Sequence, residues 1–255
     1  MPAEPALPLN AVFGFLLVLA RVSGALVFVP LPGVTAGPKP ARAALALGFT
    51  FALFPLWPRA LPAEPSIGLL VVWIAAEAAF GITVGLAVAF LTESMLVAGQ
   101  LLGQQAGYSY AATIDPLSQN DSNVLIVFAQ LLAGLLFFSL GLDRQILRIF
   151  AQSLSAYPPG TYLPNLRTAE AIIRLGSGTF ETGLRMAMPV IVLLVLVDIS
   201  LALLGRINQQ LQLLTLAFPV KMLAMLAFLA TISVLFLPIY RGAAGRTIST
   251  LLALH

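Results

Sequence analysis

The sequence predicts an all-α, integral membrane-type protein with about six apolar helical segments. Two observations carry this. Hydrophobic residues make up 60% of the 255-residue chain and charged residues only 9%, whereas a soluble domain averages about 45–50% apolar and about 25% charged residues. Mean hydropathy is +0.99. Apolar runs also recur along the chain, several near the ~20 residues that a helix needs to cross the hydrocarbon. At this length there is room for a single membrane domain, residues 1–255, with no sizeable soluble domain beside it.

The first apolar run, Leu9–Val29, contains Arg21. Pro30, Pro32, Pro38 and Pro40 then make a rigid connection beside Lys39 and Arg42. Ala41–Leu56 is only just long enough to span, and Pro55, Pro58, Pro62 and Pro65 break the chain again. Ile67–Leu102 reads as a long helix holding Glu77 and Glu93. Asn123–Leu142 carries no charge and is the cleanest span, while Asp143–Tyr157 is amphipathic and ends at Pro158-Pro159-Gly160. Thr168–Leu204 is a second long stretch, with Glu170, Arg174, Glu181, Arg185 and Asp198 inside it. A polar run, Arg206–Gln212, precedes the last apolar segment, Ala217–Pro238, and Tyr240–His255 reads as a short, weakly basic tail.

Between the third and fourth runs lies GQLLGQQAGYSYAATIDPLSQND, Gly99 to Asp121. Gly99, Gly103 and Gly107 stand four apart, on one helix face, where another backbone can approach closely. Asp115-Pro116 is expected to stop that helix, because proline disfavours αR at the residue before it. A polar, flexible insertion of this kind must line water or be buried in protein, since it cannot face lipid. It points to a passage or gate. Gly81 and Gly85 make a second small-residue face, serving either packing within the chain or a partner contact.

The charges Arg21, Glu77, Glu181, Arg185, Asp198, Arg206 and Lys221 lie in or beside apolar helical segments. An unpaired charge at the bilayer centre costs at least ~2.5–3.5 kcal/mol, so each requires a partner. Glu181 and Arg185, four apart with the acid first, can pair on one face. Asp198 and Arg206 share a face roughly, without contact. Two readings stand for these charges: an ion or proton pathway, or burial in subunit interfaces and snorkelling to a boundary. Arg21 and Lys221 are each expected to meet a counter-charge, a carbonyl cluster or a phosphate headgroup. Positive charge on successive connections marks no single side, so orientation is not readable.

Several function classes fall away. The chain has no cysteine, and its one histidine is His255, which argues against disulfides, thiolate metal sites and imidazole catalysis. A formal charge of +3 is too small and scattered for nucleic acid. Glu4 precedes the first apolar run and no Lys or Arg does, so a basic signal-peptide start is not expected. No phosphate-binding loop, nucleophile elbow or metal cluster is present in the sequence. Neither a cofactor nor an enzymatic activity is expected.

The chain resembles the flagellar biosynthesis protein FliR family, which is related to the T-type export-apparatus subunits of virulence type III secretion systems. The resemblance runs through Arg21-Val-Ser-Gly24 leading to Pro30, Pro40-Ala-Arg42, and Glu77 with Gly81 and Gly85. Its most specific block is Gly99–Pro116, patterned GQLxGxQxGxSxAxxxDP. Phe128, Ser153, Pro158, Gly183-Leu-Arg185-Met-Ala-Met-Pro189 and Gln210 through Phe218-Pro219-Val220-Lys221 continue it. It departs at Gly141-Leu142-Asp143, where Asn-Gly-His is frequent, at Gln209–Gln212, at Ala217, and at Asp198, where Asn is usual.

The resemblance implies a subunit of the protein-export gate in the bacterial inner membrane, at the flagellar basal body. Its partners would be the P-type and Q-type gate subunits, the B-type and A-type export proteins, membrane lipid and exported unfolded proteins. Several apolar helices would be bent into hairpins within that hetero-oligomeric complex. The loop at about 107–122 would act as a channel plug, involving Gly107, Tyr108, Ser109, Tyr110, Ala111, Ala112, Asp115 and Pro116. Physically the segment suits this, with small residues for a constriction and two tyrosines for bulk with a polar tip. The run Leu102-Gly103-Gln104-Gln105 looks more flagellar than virulence-type, since virulence relatives often carry an acidic residue there. A small-molecule or ion transporter and a purely structural assembly factor remain as other classes, and a connecting loop without a gating role remains the plain reading of 107–122.

Overall fold

A computed structural model describes residues 9–29, 39–57, 66–108, 124–207 and 213–253. The apolar runs form α1 (Leu9–Phe28), α2 (Lys39–Ala52), α3 (Ile67–Ala106), α4 (Val124–Ser139), α5 (Leu142–Ala156), α6 (Leu166–Ile207), α7 (Leu213–Ile232) and α8 (Phe236–Ala253). Short 3-10 turns lie at Phe54–Leu56 and Ser233–Leu235, and no strand occurs among the described residues. The fold is all-α and of membrane type.

Helix ends follow local chemistry. α1 stops just before Pro30, and Pro40 sits in the first turn of α2, where its missing N–H is not needed. Trp57 donates its indole N–H to the Thr50 carbonyl at 3.0 Å, folding the end of α2 back on itself. Asn165 caps α6 by accepting from the Thr168 N–H at 2.8 Å. Gly141, at φ 65°, provides the left-handed residue between α4 and α5.

The end of α3 corrects the expectation that Asp115-Pro116 stops this helix. Gly107 takes φ 85°, its N–H donates to the Gln104 carbonyl at 3.2 Å, and Tyr108 N–H reaches the Gly103 carbonyl at 2.9 Å. This is a Schellman termination, with glycine supplying the left-handed residue. Gly107 ends α3, and Asp115 and Pro116 lie outside the described residues.

Each of the six expected apolar segments forms a helix, but fewer are long enough to span. Among the described residues, four helical stretches are long and apolar enough to cross a membrane, or up to five if the bent α4–α5 pair counts as one. The Ala41–Leu56 run yields only the 14 residues of α2, roughly 21 Å, short of a ~30 Å hydrocarbon. α3 has 40 residues and α6 has 42, each roughly 60 Å long and about twice that thickness. The expected C-terminal tail is helical: Pro238 sits in the first turn of α8, and Tyr240, Ala243, Ala244 and Leu251 are buried.

The chain divides into two compact units, each with its own core. One comprises Met1–Phe90, Phe137–Gly176 and Gly245–His255, the other Leu91–Leu136 and Ser177–Ala244. In the first, Leu17, Val18, Phe80, Val84 and Ile149 are almost fully buried, and Phe15, Phe51 and Trp57 stack where α2 meets α1. In the second, Ala98, Leu102, Met186, Leu194 and Met225 fill the interior.

Candidate functional site

In the first unit, α1 and α3 cross almost backbone to backbone. An added Cβ on Gly81 would overlap the Arg21 carbonyl oxygen, one on Gly85 would stand 2.5 Å from the Ala25 carbonyl oxygen, and one on Gly24 would stand 2.5 Å from that of Ala78. The expected small-residue face at Gly81 and Gly85 therefore packs on α1 of the same chain. Of the two destinations left open for it, the structure uses the internal one.

This approach buries a charge pair. Arg21 and Glu77 are both 0% exposed, and Arg21 Nε donates to Glu77 Oε2. Arg21 Nη1 donates to Ser153 Oγ at 3.0 Å and Nη2 to the Tyr157 carbonyl at 3.0 Å. The Gly160 N–H donates to Glu77 Oε1 at 2.9 Å. The guanidinium carbon also lies 4.8 Å from the Phe80 ring centroid, within cation–π range. Around this cluster Tyr162 packs edge-on against Phe80, with ring centroids 5.1 Å apart, and Trp73 lies against Gly160. Both carboxylate oxygens are engaged inside the unit, so the arrangement pins α1, α3, α5 and the turn after α5 together. It is built to hold geometry, and a buried pair survives only with such extra hydrogen bonds.

In the second unit Asp198 of α6 meets Lys221 of α7, with Nζ 3.0 Å from each carboxylate oxygen. Gln105, in the last turn of α3, donates to Asp198 Oδ2 at 3.2 Å. Lys221 is 16% exposed and Asp198 40%. Gly99 packs on α4, where an added Cβ would stand 2.7 Å from Ala129 Cβ and 2.9 Å from the Leu125 carbonyl oxygen, and Gly103 is buried. The Phe218 ring lies over Gly107.

Other expected residues are placed differently. Glu181 and Arg185 pair at 2.6 Å but are 63% and 66% exposed, so they are not buried within this chain. They share α6 with exposed Phe180, Met188 and Val192. Arg206 is exposed. Of the plug residues, Gly107 and Tyr108 are described and half-buried; Ser109, Tyr110, Ala111, Ala112, Asp115 and Pro116 lie outside the described residues. Among the described residues, no three His, Cys, Asp or Glu side chains come together to hold a metal.

Sequence reasoning missed the partners more than the charges. Ser153, the Tyr157 carbonyl, the Gly160 N–H and Phe80 were not foreseen around Arg21, nor was Gln105 beside Asp198. The available signal was a lone base, Arg21, in α1 and two acids, Glu77 and Glu93, in α3.

An all-α chain with two internal ion-pair clusters and long helices of exposed apolar side chains belongs to the class of helical membrane proteins. More particularly, it belongs to the FliR family, bacterial export proteins family 1, whose model matches residues 12–246. It is similar to the flagellar biosynthetic protein FliR of Escherichia coli K12, with 30% identity over 223 residues, 86% of this chain and 84% of that protein. The protein of the same description from Bacillus subtilis 168 is 26% identical over 244 residues, 93% of this chain and 92% of its own length. That of Caulobacter vibrioides is 26% identical over 215 residues, 84% and 86% of the two chains. Family membership makes this chain a membrane-embedded component of a bacterial export apparatus.

Proposed function

We propose that this chain is the FliR-type subunit of a flagellar type III protein-export gate in the bacterial inner membrane, at the basal body. With P-type and Q-type subunits it would form the channel through which unfolded flagellar proteins leave the cell, and the B-type and A-type export proteins would act beside it. The observation that carries this reading is the family match over residues 12–246, nearly the whole chain. The relatives described above share the flagellar description, which favours the flagellar over the virulence system.

The geometry supports a subunit made to be enclosed by others. In the most apolar part of α6 only 17% of residues are buried within the chain, and Val192, Leu196, Ile199 and Leu203 stand exposed along it. A helix roughly 60 Å long cannot place all of that surface in a ~30 Å hydrocarbon layer, so subunit contacts are the natural cover for the remainder. Segment 107–122 then serves as the plug of the conduit, entered through the rigid Schellman turn at Gly107. The chain itself performs no catalysis in this scheme.

Deleting the gene in its own host tests the reading. Secretion of hook and filament proteins should stop and return when the gene is restored. Unchanged secretion in the deletion strain would contradict the proposal.

A further inference from the structure

We infer that Asp198, Lys221 and Gln105 form a latch that fixes the last turn of α3 and so positions the chain where it leaves that helix. Three helices contribute one side chain each. Asp198 holds Lys221 through both carboxylate oxygens at 3.0 Å and accepts from Gln105 at 3.2 Å. Gln105 lies two residues before Gly107, whose left-handed turn sits beneath the Phe218 ring. Phe218 is three residues before Lys221, hence on the same side of α7. α7 therefore grips the end of α3 twice, through Phe218 on Gly107 and through Lys221 by way of Asp198 on Gln105.

Charged side chains within apolar helices are costly unless they are mutually satisfied, and here they satisfy one another. A salt bridge alone would need only α6 and α7. The addition of Gln105 converts it into a device that reports the state of the α6–α7 pair to the exit of α3. That exit leads into the segment taken as the conduit's plug, so the functional consequence rests on that reading. The latch itself does not.

Ala106 offers a local probe, since it is 0% exposed and the chain has no cysteine of its own. In the assembled complex in membrane vesicles, Ala106→Cys should react slowly with N-ethylmaleimide, as followed by the mass of this chain. Adding Asp198→Ala or Lys221→Met should accelerate labelling about threefold to tenfold, through more frequent opening of the last turn. The charge-swapped pair Asp198→Lys with Lys221→Asp should return the rate to within about twofold of the parent, because the Gln105 amide can also accept from a lysine. Gln105→Leu keeps the ion pair and should accelerate labelling too, which preserves the test if either charge variant assembles poorly. Unchanged labelling in Gln105→Leu, or a charge swap as fast as the single variants, would overturn the latch. Leak of a small charged dye is read in parallel. Faster labelling without leak would leave the latch standing and remove the plug reading, whereas leak without faster labelling would remove the latch.

Discussion

At the scale of single residues, the Arg21–Glu77 pair shows why a charge can sit in the middle of an apolar helix. Arg21 has five N–H donors in a planar fork, and its three nitrogens donate to a carboxylate, a hydroxyl and a carbonyl. Removing one partner leaves the other buried and uncompensated. Arg21→Met should therefore destabilise the chain by about 3–5 kcal/mol. Replacing both, with Arg21→Met and Glu77→Leu, should recover most of that loss, since a well-packed apolar pair of similar size is often neutral. Thermal unfolding of the detergent-solubilised protein distinguishes the cases. A double variant no more stable than Arg21→Met would show that the cluster's other contacts, with Ser153 and the Tyr157–Gly160 turn, dominate. The sequence made the charges visible but not their pairing, because Arg21 and Glu77 stand 56 positions apart with no local periodicity linking them.

At the scale of elements, the α1–α3 crossing depends on Gly81, where any Cβ would overlap the Arg21 carbonyl oxygen. Gly81→Leu should force the helices apart, loosen the Arg21–Glu77 pair and sharply lower the yield of folded protein. Gly48→Leu is the control, because nothing lies within 4 Å of a Cβ added there. Equal yields from the two variants would contradict the crossing. Helix identity was legible from the length of the apolar runs, and the glycine face from its spacing. What covered that face was not legible: four-residue spacing marks a close approach without naming the partner. The exit of α3 was misjudged for a related reason. Proline gives a strong stop signal in sequence, yet Gly107 ends the helix earlier, through a left-handed turn and two backbone hydrogen bonds. The expected end of the last apolar segment at Pro238 fails similarly, since proline is tolerated in the first turn of a helix and α8 continues through it.

At the scale of the whole molecule, hydropathy alone overcounts spans, because it scores apolar surface without saying whether lipid or protein covers it. α2 is too short to cross, and α3 and α6 are far longer than crossing requires. In the proposed gate, Tyr108 and Tyr110 would contribute bulk to closure, while the Gly99 contact packs α3 on α4 within this chain. Replacing both tyrosines by Ala should let small solutes leak across the inner membrane without reducing complex yield. Intact complexes with no added leak would return segment 107–122 to a connecting role. The most direct test of the central claim is purification through a tag on this chain, with the P-type and Q-type subunits of the same cell present at native levels, followed by native mass spectrometry. One stable assembly containing all three kinds of subunit is the expected result. Recovery of the chain alone, or only with copies of itself, would contradict its assignment to the export gate.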